Sequence, residues 1–305
     1  MVVENGQIVV GVDGSPQSSA AVKWAAREAQ LHNSALMLVH VIPPETHTRA
    51  TWAGVPVYPD HARLHREKVA AYQSLGTAQR TAMEAIGPSD GIRVHHEVLM
   101  GPVAQTLTAC AQHADLLAVG CSNHNAFARA LFGSTSSELI HHARCALAFI
   151  HNGDFPTTRS PSDPVLVGVD GSSASDPALE VAFDEASRRG VDLIAFHAWN
   201  DEGPVKFGRP GHAPIEWANL RAEEEQVLNE RLAGWTTRYP KVAVRKVVAS
   251  ERPVPGLLRW AEKAQLLVLG SHGDRFADKL HRSVRSAVVA ASQIPVIIAG
   301  RVRPA

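Results

Sequence analysis

The hexapeptide Val-Gly-Val-Asp-Gly-Ser occurs twice in the chain, at residues 10–15 and again at 167–172. The match continues at the same offset: Glu28-Ala29 returns as Glu185-Ala186, Leu36 as Leu193 and His40 as His197. Farther on the offset shortens but the order holds, with ADLLAVG at 114–120 answered by AQLLVLG at 264–270. Long-period self-similarity of this kind is the signature of a duplicated unit. A chain of 305 residues has room for two domains of about 150 residues, each able to bury its own core. Between the copies, NGDFPTTRSPSDP at 152–164 replaces apolar rhythm with Pro, Ser, Thr and Gly, which reads as a connection. The expected domains are therefore 1–152 and 164–305, with a linker over 153–163.

Each copy alternates short Val/Leu/Ile runs with helical periodicity. Strands are expected near 7–13, 35–42, 92–99, 115–120 and 145–151, and helices near 17–32, 61–86, 102–113 and 135–143. The second copy repeats them, with strands near 164–170, 191–198, 242–249, 265–270 and 295–299 and helices near 175–189, 214–238, 253–263 and 284–292. Strands of this composition are parallel and covered on both faces, which makes the fold α/β, two tandem open five-stranded parallel sheets with helices on both sides. Leu64, Ala71, Leu75, Ala78 and Ala82, and in the second copy Trp217, Leu220, Val227 and Trp235, recur at helical spacing and are expected to face the core. Two long irregular connections, 43–60 and 200–214, follow the second strand of each copy; connections of that length in a compact domain are usually functional or disordered.

Composition removes several function classes. Thirty basic residues balance thirty acidic ones, so the chain lacks the electrostatic footprint of a nucleic-acid binder. No apolar run reaches the roughly 18 residues that span a bilayer, the N-terminus lacks a secretory pattern, and a cytoplasmic protein is expected. Cys110, Cys121 and Cys145 are an odd, sparse set, unlike a disulfide framework. His141-His142 with Cys145, and Cys121 with His124, lack the second pair that zinc spacing requires. The GxSxG elbow, the Walker A loop and the GxGxxG fingerprint are all absent, so no catalytic residues are assigned.

The stretch LLAVGCSNHNAFARALFGSTSS, 116–137, carries the strongest functional signal. A strand ending at Gly120, a polar loop holding Asn123, and a helix start after Gly133-Ser134-Thr135 form a recipe for an anion cradle built from backbone amides and a helix N-terminus. The spacing Gly120, two residues, Asn123, nine residues, Gly133-Ser134 closely resembles the ATP-binding signature of the universal stress protein family. The likeness covers nearly the whole chain, as two copies, and is to the tandem-domain type of mycobacteria and related actinobacteria.

That resemblance implies a strand order 3-2-1-4-5 in each copy, which places the carboxyl ends of strands 1 and 4 side by side at the point where strand order reverses, the usual ligand crevice of an open parallel sheet. It further implies Asp13 as an adenine or ribose contact, Val41 as a backbone contact to the base, and Gly120, Asn123, Gly133, Ser134 and Thr135 as the cradle for phosphates and ribose, with Mg²⁺ bridging where Asp13 would otherwise repel phosphate. Ser134 bonds phosphate or helps a helix cap, since Thr135-Ser136-Ser137-Glu138 fits a capping box; Arg129 faces the terminal phosphate or solvent. The second copy keeps Asp170, Gly270 and Gly273 but has Arg282-Ser283 in place of Gly-Ser. There Arg275, Lys279, Arg282 and Arg285 supply cationic donors instead. The expected function is an ATP-dependent regulator of stress response or growth, in which ATP orders the loops after strands 2 and 4. The rival readings are a weak ATPase or nucleotidyl-transfer enzyme, and a nucleotide-free scaffold. Exposed fifth strands are expected to pair the copies as an internal pseudo-dimer, with a homodimer and unidentified protein partners beyond that.

Overall fold

The computed structural model describes residues 6–44, 61–87, 91–121, 134–142, 145–151, 160–199, 214–271 and 278–300. The first copy runs β1 (Gln7–Gly11), α1 (Pro16–His32), β2 (Ala35–Ile42), α2 (His61–Ile86), β3 (Val94–Met100), α3 (Val103–Cys110), β4 (Leu116–Cys121), α4 (Ser134–His142) and β5 (Ala146–His151). The second repeats the order as β6 (Val165–Val169), α5 (Asp176–Arg189), β7 (Leu193–Ala198), α6 (Pro214–Arg238), β8 (Val244–Ala249), α7 (Pro253–Ala261), β9 (Leu266–Gly270), α8 (Asp278–Ala291) and β10 (Val296–Ala299).

The strands are hydrophobic on successive residues because both faces are covered. Ile8, Val10, Leu36, Leu38 and Leu116 pack into a core with α1, α2, α5 and α6. Val9, Met37, Val39, Leu117 and Leu147 point the other way, into a core with α3, α4, α7 and α8. Within each copy the strand order is 3-2-1-4-5, as expected, and all neighbours are parallel. The two sheets are not separate, however. β5 pairs antiparallel with β10, Phe149 opposite Val296 and Leu147 opposite Ile298, which fuses them into one ten-stranded sheet. Pairing removes the two fifth strands as edges, and only β3 and β8 remain. Both carry exposed polar pairs, His95-His96 and Arg245-Lys246, which discourage further strand addition.

Helix ends follow local chemistry. Ser15 caps α1, its hydroxyl accepting from the Ser18 amide at 3.1 Å, with Pro16 opening the first turn. Asn33 ends α1 in a left-handed conformation (φ 51°), and Gly190 does the same for α5 (φ 66°).

Four expectations need correction. The helix expected at 102–113 is α3 followed by a separate 3₁₀ turn, Ala111–His113. Leu220 is exposed at 37%, and the core stripe of α6 is Leu228 and Leu232 with Trp235 partly buried; the Trp217 side chain lies outside the described residues. α4 begins at Ser134, so Thr135 lies inside the helix and the capping box built on it is out of register. α8 begins at Asp278, six residues before the expected 284, because the segment from 278 to 291 contains neither Gly nor Pro to stop it.

Candidate functional site

Both copies of the Asp-Gly-Ser motif turn the chain sharply from strand to helix. Gly14 and Gly171 adopt φ of +81° and +82°, values that favour glycine. The turn leaves each aspartate at the carboxyl end of its strand, braced by the serines that follow. The Ser15 amide donates to Asp13 Oδ1 at 2.9 Å. Partial burial pushes the Asp13 carboxyl up, but hydrogen bonds from Ser15 and Ser18 outweigh it and hold the pKa below the ordinary value. Asp170 is held more tightly: its Oδ1 accepts from the Ser172 amide at 2.9 Å, the Ser172 hydroxyl at 2.8 Å and the Ser175 hydroxyl at 2.6 Å.

The tips of the first and fourth strands do meet. β1 and β4 are hydrogen-bonded neighbours, and Gly120 lies directly on the first turn of α1. Its role there is steric rather than conformational. Gly120 has ordinary strand conformation and is absent from the positive-φ glycines. What it provides is the lack of a side chain, since a Cβ there would sit 2.4 Å from the Gln17 carbonyl carbon and 2.6 Å from the Ser18 nitrogen. Val41 is buried in β2 opposite Leu99. Thr135 is half-buried in α4. Ser134 opens α4 and Arg282 and Ser283 lie in α8. Asn123, Arg129, Gly133, Gly273 and Arg275 fall outside the described residues. Because Arg282 and Ser283 are the fifth and sixth residues of α8, their amides already bond back along the helix, and the second copy must rely on side chains where the first offers a helix start.

The second copy contains an open cleft of about 310 Å³ at the carboxyl ends of β6, β7 and β9. Its wall includes Asp170, Ser175, His197, Trp199, Gly270 and Arg285; Ala198, the repeat counterpart of Val41, lies beside them. The volume is at the lower end of the roughly 300–1,000 Å³ typical of small-molecule sites. The position is the one where strand order reverses. Arg285 is only 5% exposed, with Nη1 3.4 Å from the Gly270 carbonyl. His197 is fixed between two oxygens, Nδ1 2.8 Å from the Val169 carbonyl and Nε2 2.8 Å from Glu224.

Glu224 was not legible in the sequence, because it belongs to no motif. Its counterpart follows from packing: Gly14 approaches Ser74 of α2 while Gly171 approaches Val227 of α6, so three residues earlier Ala71 stands where Glu224 does. His40, the counterpart of His197, therefore has Ala71 in place of that carboxylate, and burial outweighs the pull of Asp13 and of the Val12 backbone to hold its pKa below normal. A second missed group is the buried pair Glu28 and Glu185 with Arg189 and His32. The repeat of Glu28-Ala29 as Glu185-Ala186 was the available signal, and it did not reveal that the two glutamates face each other. Among the described residues, no helix is long and apolar enough to cross a membrane.

Comparison with known proteins agrees with the duplicated architecture. The universal stress protein family model matches twice, over residues 4–151 and 161–300. The chain is 46% identical over 299 residues to universal stress protein Rv1996 of Mycobacterium tuberculosis, covering 96% of this chain and 94% of that protein. It is 41% identical over 295 residues to universal stress protein Rv2623 of the same organism, covering 96% and 95%. The fold matches a universal stress protein structure from Archaeoglobus fulgidus with a TM-score of 0.67, at 18% identity and covering 98% of this chain and 97% of that one. The chain belongs to the universal stress protein family, as two copies of its domain in one polypeptide.

Proposed function

We propose that the chain is a nucleotide-dependent regulator that binds ATP in the crevice of each copy, with Mg²⁺ accompanying the phosphates. The observation that carries this reading is the cleft of the second copy, where Asp170, Ser175, His197, Gly270 and Arg285 converge at the reversal of strand order. Buried cationic and hydroxyl donors suit an anionic ligand bearing a sugar, and the first copy presents Asp13 and Gly120 at the equivalent crevice. The nucleotide binds the closed arrangement of each crevice better than the open one, so occupancy follows ATP level, and the altered surface engages a protein partner or a second chain in the cytoplasm.

The test is direct. Ligand released from denatured, freshly purified protein is identified by mass spectrometry, and ATP is then titrated into stripped protein. Two ATP per chain are expected. Asp13→Asn and Asp170→Asn should each remove about one site, with affinity there reduced roughly tenfold or more, the order expected for losing a charged hydrogen-bond partner. A protein that takes up no nucleotide, or variants that bind as the unaltered chain does, overturns the reading.

A further inference from the structure

α1 and α5 meet on one face of the fused sheet, and where they meet the structure gathers four ionisable side chains related by the internal repeat, two of them buried. Glu28 and His32 stand one turn apart on α1; Glu185 and Arg189 occupy the same two positions on α5. Glu28 is 2% exposed and Glu185 4%. Arg189 bridges both glutamates, donating from Nη2 to Glu28 Oε1 and from Nη2 and Nε to Glu185 Oε2 at 2.9 and 3.1 Å. Each carboxylate thus gives one oxygen to Arg189 and turns the other toward His32. Glu185 Oε1 lies 3.0 Å from His32 Nε2, and Glu28 Oε2 lies 3.8 Å from the same nitrogen. Glu28 Oε2 is fully buried and accepts no hydrogen bond.

A buried carboxylate oxygen without a donor costs free energy, so its position calls for an occupant. A bound cation requires both carboxylates ionised and the imidazole neutral, and the four groups then sum to one negative charge: two carboxylates, one guanidinium. The three oxygen and nitrogen atoms facing inward all lie within 4.8 Å of one another. Donors at about 2.0–2.2 Å from a tetrahedral zinc ion are about 3.3–3.5 Å apart, close to the 3.0 and 3.8 Å found here. One imidazole nitrogen with two carboxylates favours a zinc-class ion over magnesium or calcium. Arg189 then holds the far oxygen of each carboxylate, the orienting role that outer hydrogen bonds play at metal sites. His32 is 24% exposed, which leaves an entry path and room for a water as fourth ligand.

We propose that the α1–α5 junction is a zinc-class divalent-cation site, with Glu28 Oε2, His32 Nε2 and Glu185 Oε1 as ligands, binding across the two copies of the domain. It is independent of nucleotide and lies outside both crevices.

The experiment uses the full chain, stripped with chelator and titrated calorimetrically with zinc chloride alone. One equivalent is expected with a dissociation constant in the micromolar range or below, weakened about tenfold or more in His32→Gln and in Glu28→Gln. Glu28→Gln keeps the shape and a carbonyl oxygen for Arg189, which preserves the fold. Sixteen histidines can take up zinc elsewhere, so equal binding by wild type and both variants overturns the proposal, as does no binding up to about 100 μM. Cobalt substitution of the unaltered chain gives an independent reading: a tetrahedral visible absorption band supports the site, and an octahedral aquo-like spectrum refutes it.

Discussion

At the scale of single residues, Gly120 is required by packing rather than by backbone conformation. A glycine in a motif suggests an unusual backbone angle, yet Gly120 is needed because α1 passes within 2.4 Å of where its Cβ would be. The neighbouring atoms are backbone and cannot rotate away. Gly120→Ala is therefore expected to destabilise the fold by about 2–3 kcal/mol or more, seen as a lower urea midpoint with or without ATP. A midpoint equal to wild type, with only ATP affinity reduced, would instead make Gly120 a ligand residue alone. His151, the last residue of β5, gives a second test. Burial pushes its imidazole down to about 4 from the usual 6.5. The unfolded chain then binds more protons between those values, so the contribution is intact above pH 6.5 and is lost as pH falls toward 4, by roughly 3 kcal/mol at most. Between pH 7 and 4.5, His151→Gln should lose less urea stability than wild type; parallel losses would show that His151 does not set the acid slope.

At the scale of elements, most of the fold was legible. Unbroken Val/Leu/Ile runs marked the inner strands because two-sided burial leaves no polar face, and the repeat supplied each helix twice. Strand order came from the family resemblance, and the pairing of strands follows it. The failures share a cause. Leu220 has helical spacing but is exposed, and spacing cannot report where a partner surface ends. The start of α8 was placed by analogy with Gly133-Ser134, but Arg282-Ser283 carries no helix breaker and the helix runs through it. Of the site, Asp13, Gly120, Asp170 and Gly270 were readable from motifs on adjacent strand tips. Glu224 was not, because a carboxylate on a helical face without a motif looks like any solvated glutamate until α6 is laid over β7. Glu28 and Glu185 were hidden for the same reason, since the expected pairing of β5 with β10 does not say which faces of α1 and α5 then meet.

At the scale of the molecule, continuity of the sheet has thermodynamic content. Both apolar cores draw on residues from both copies: Ala148 and Ile297 share one, Phe149 and Val296 the other. Separating the copies would expose β5 and β10 along their whole paired length, so neither copy has a self-sufficient edge. Chains of this size often unfold in stages, but here a single calorimetric transition is expected, with a van't Hoff enthalpy close to the measured one. Two resolved transitions, or a van't Hoff value near half, would mean that the halves unfold independently.

Covalent fusion also changes what can stand beside the approximate two-fold axis. In an assembly of two identical chains, any side chain on the axis meets its own duplicate, and every alteration arrives on both sides at once. Here Glu28 and Glu185 still match, while their companions have parted into an imidazole and a guanidinium. Such an unlike pair is available only to a single polypeptide, which can rewrite one side of its own mirror and leave the other as it was.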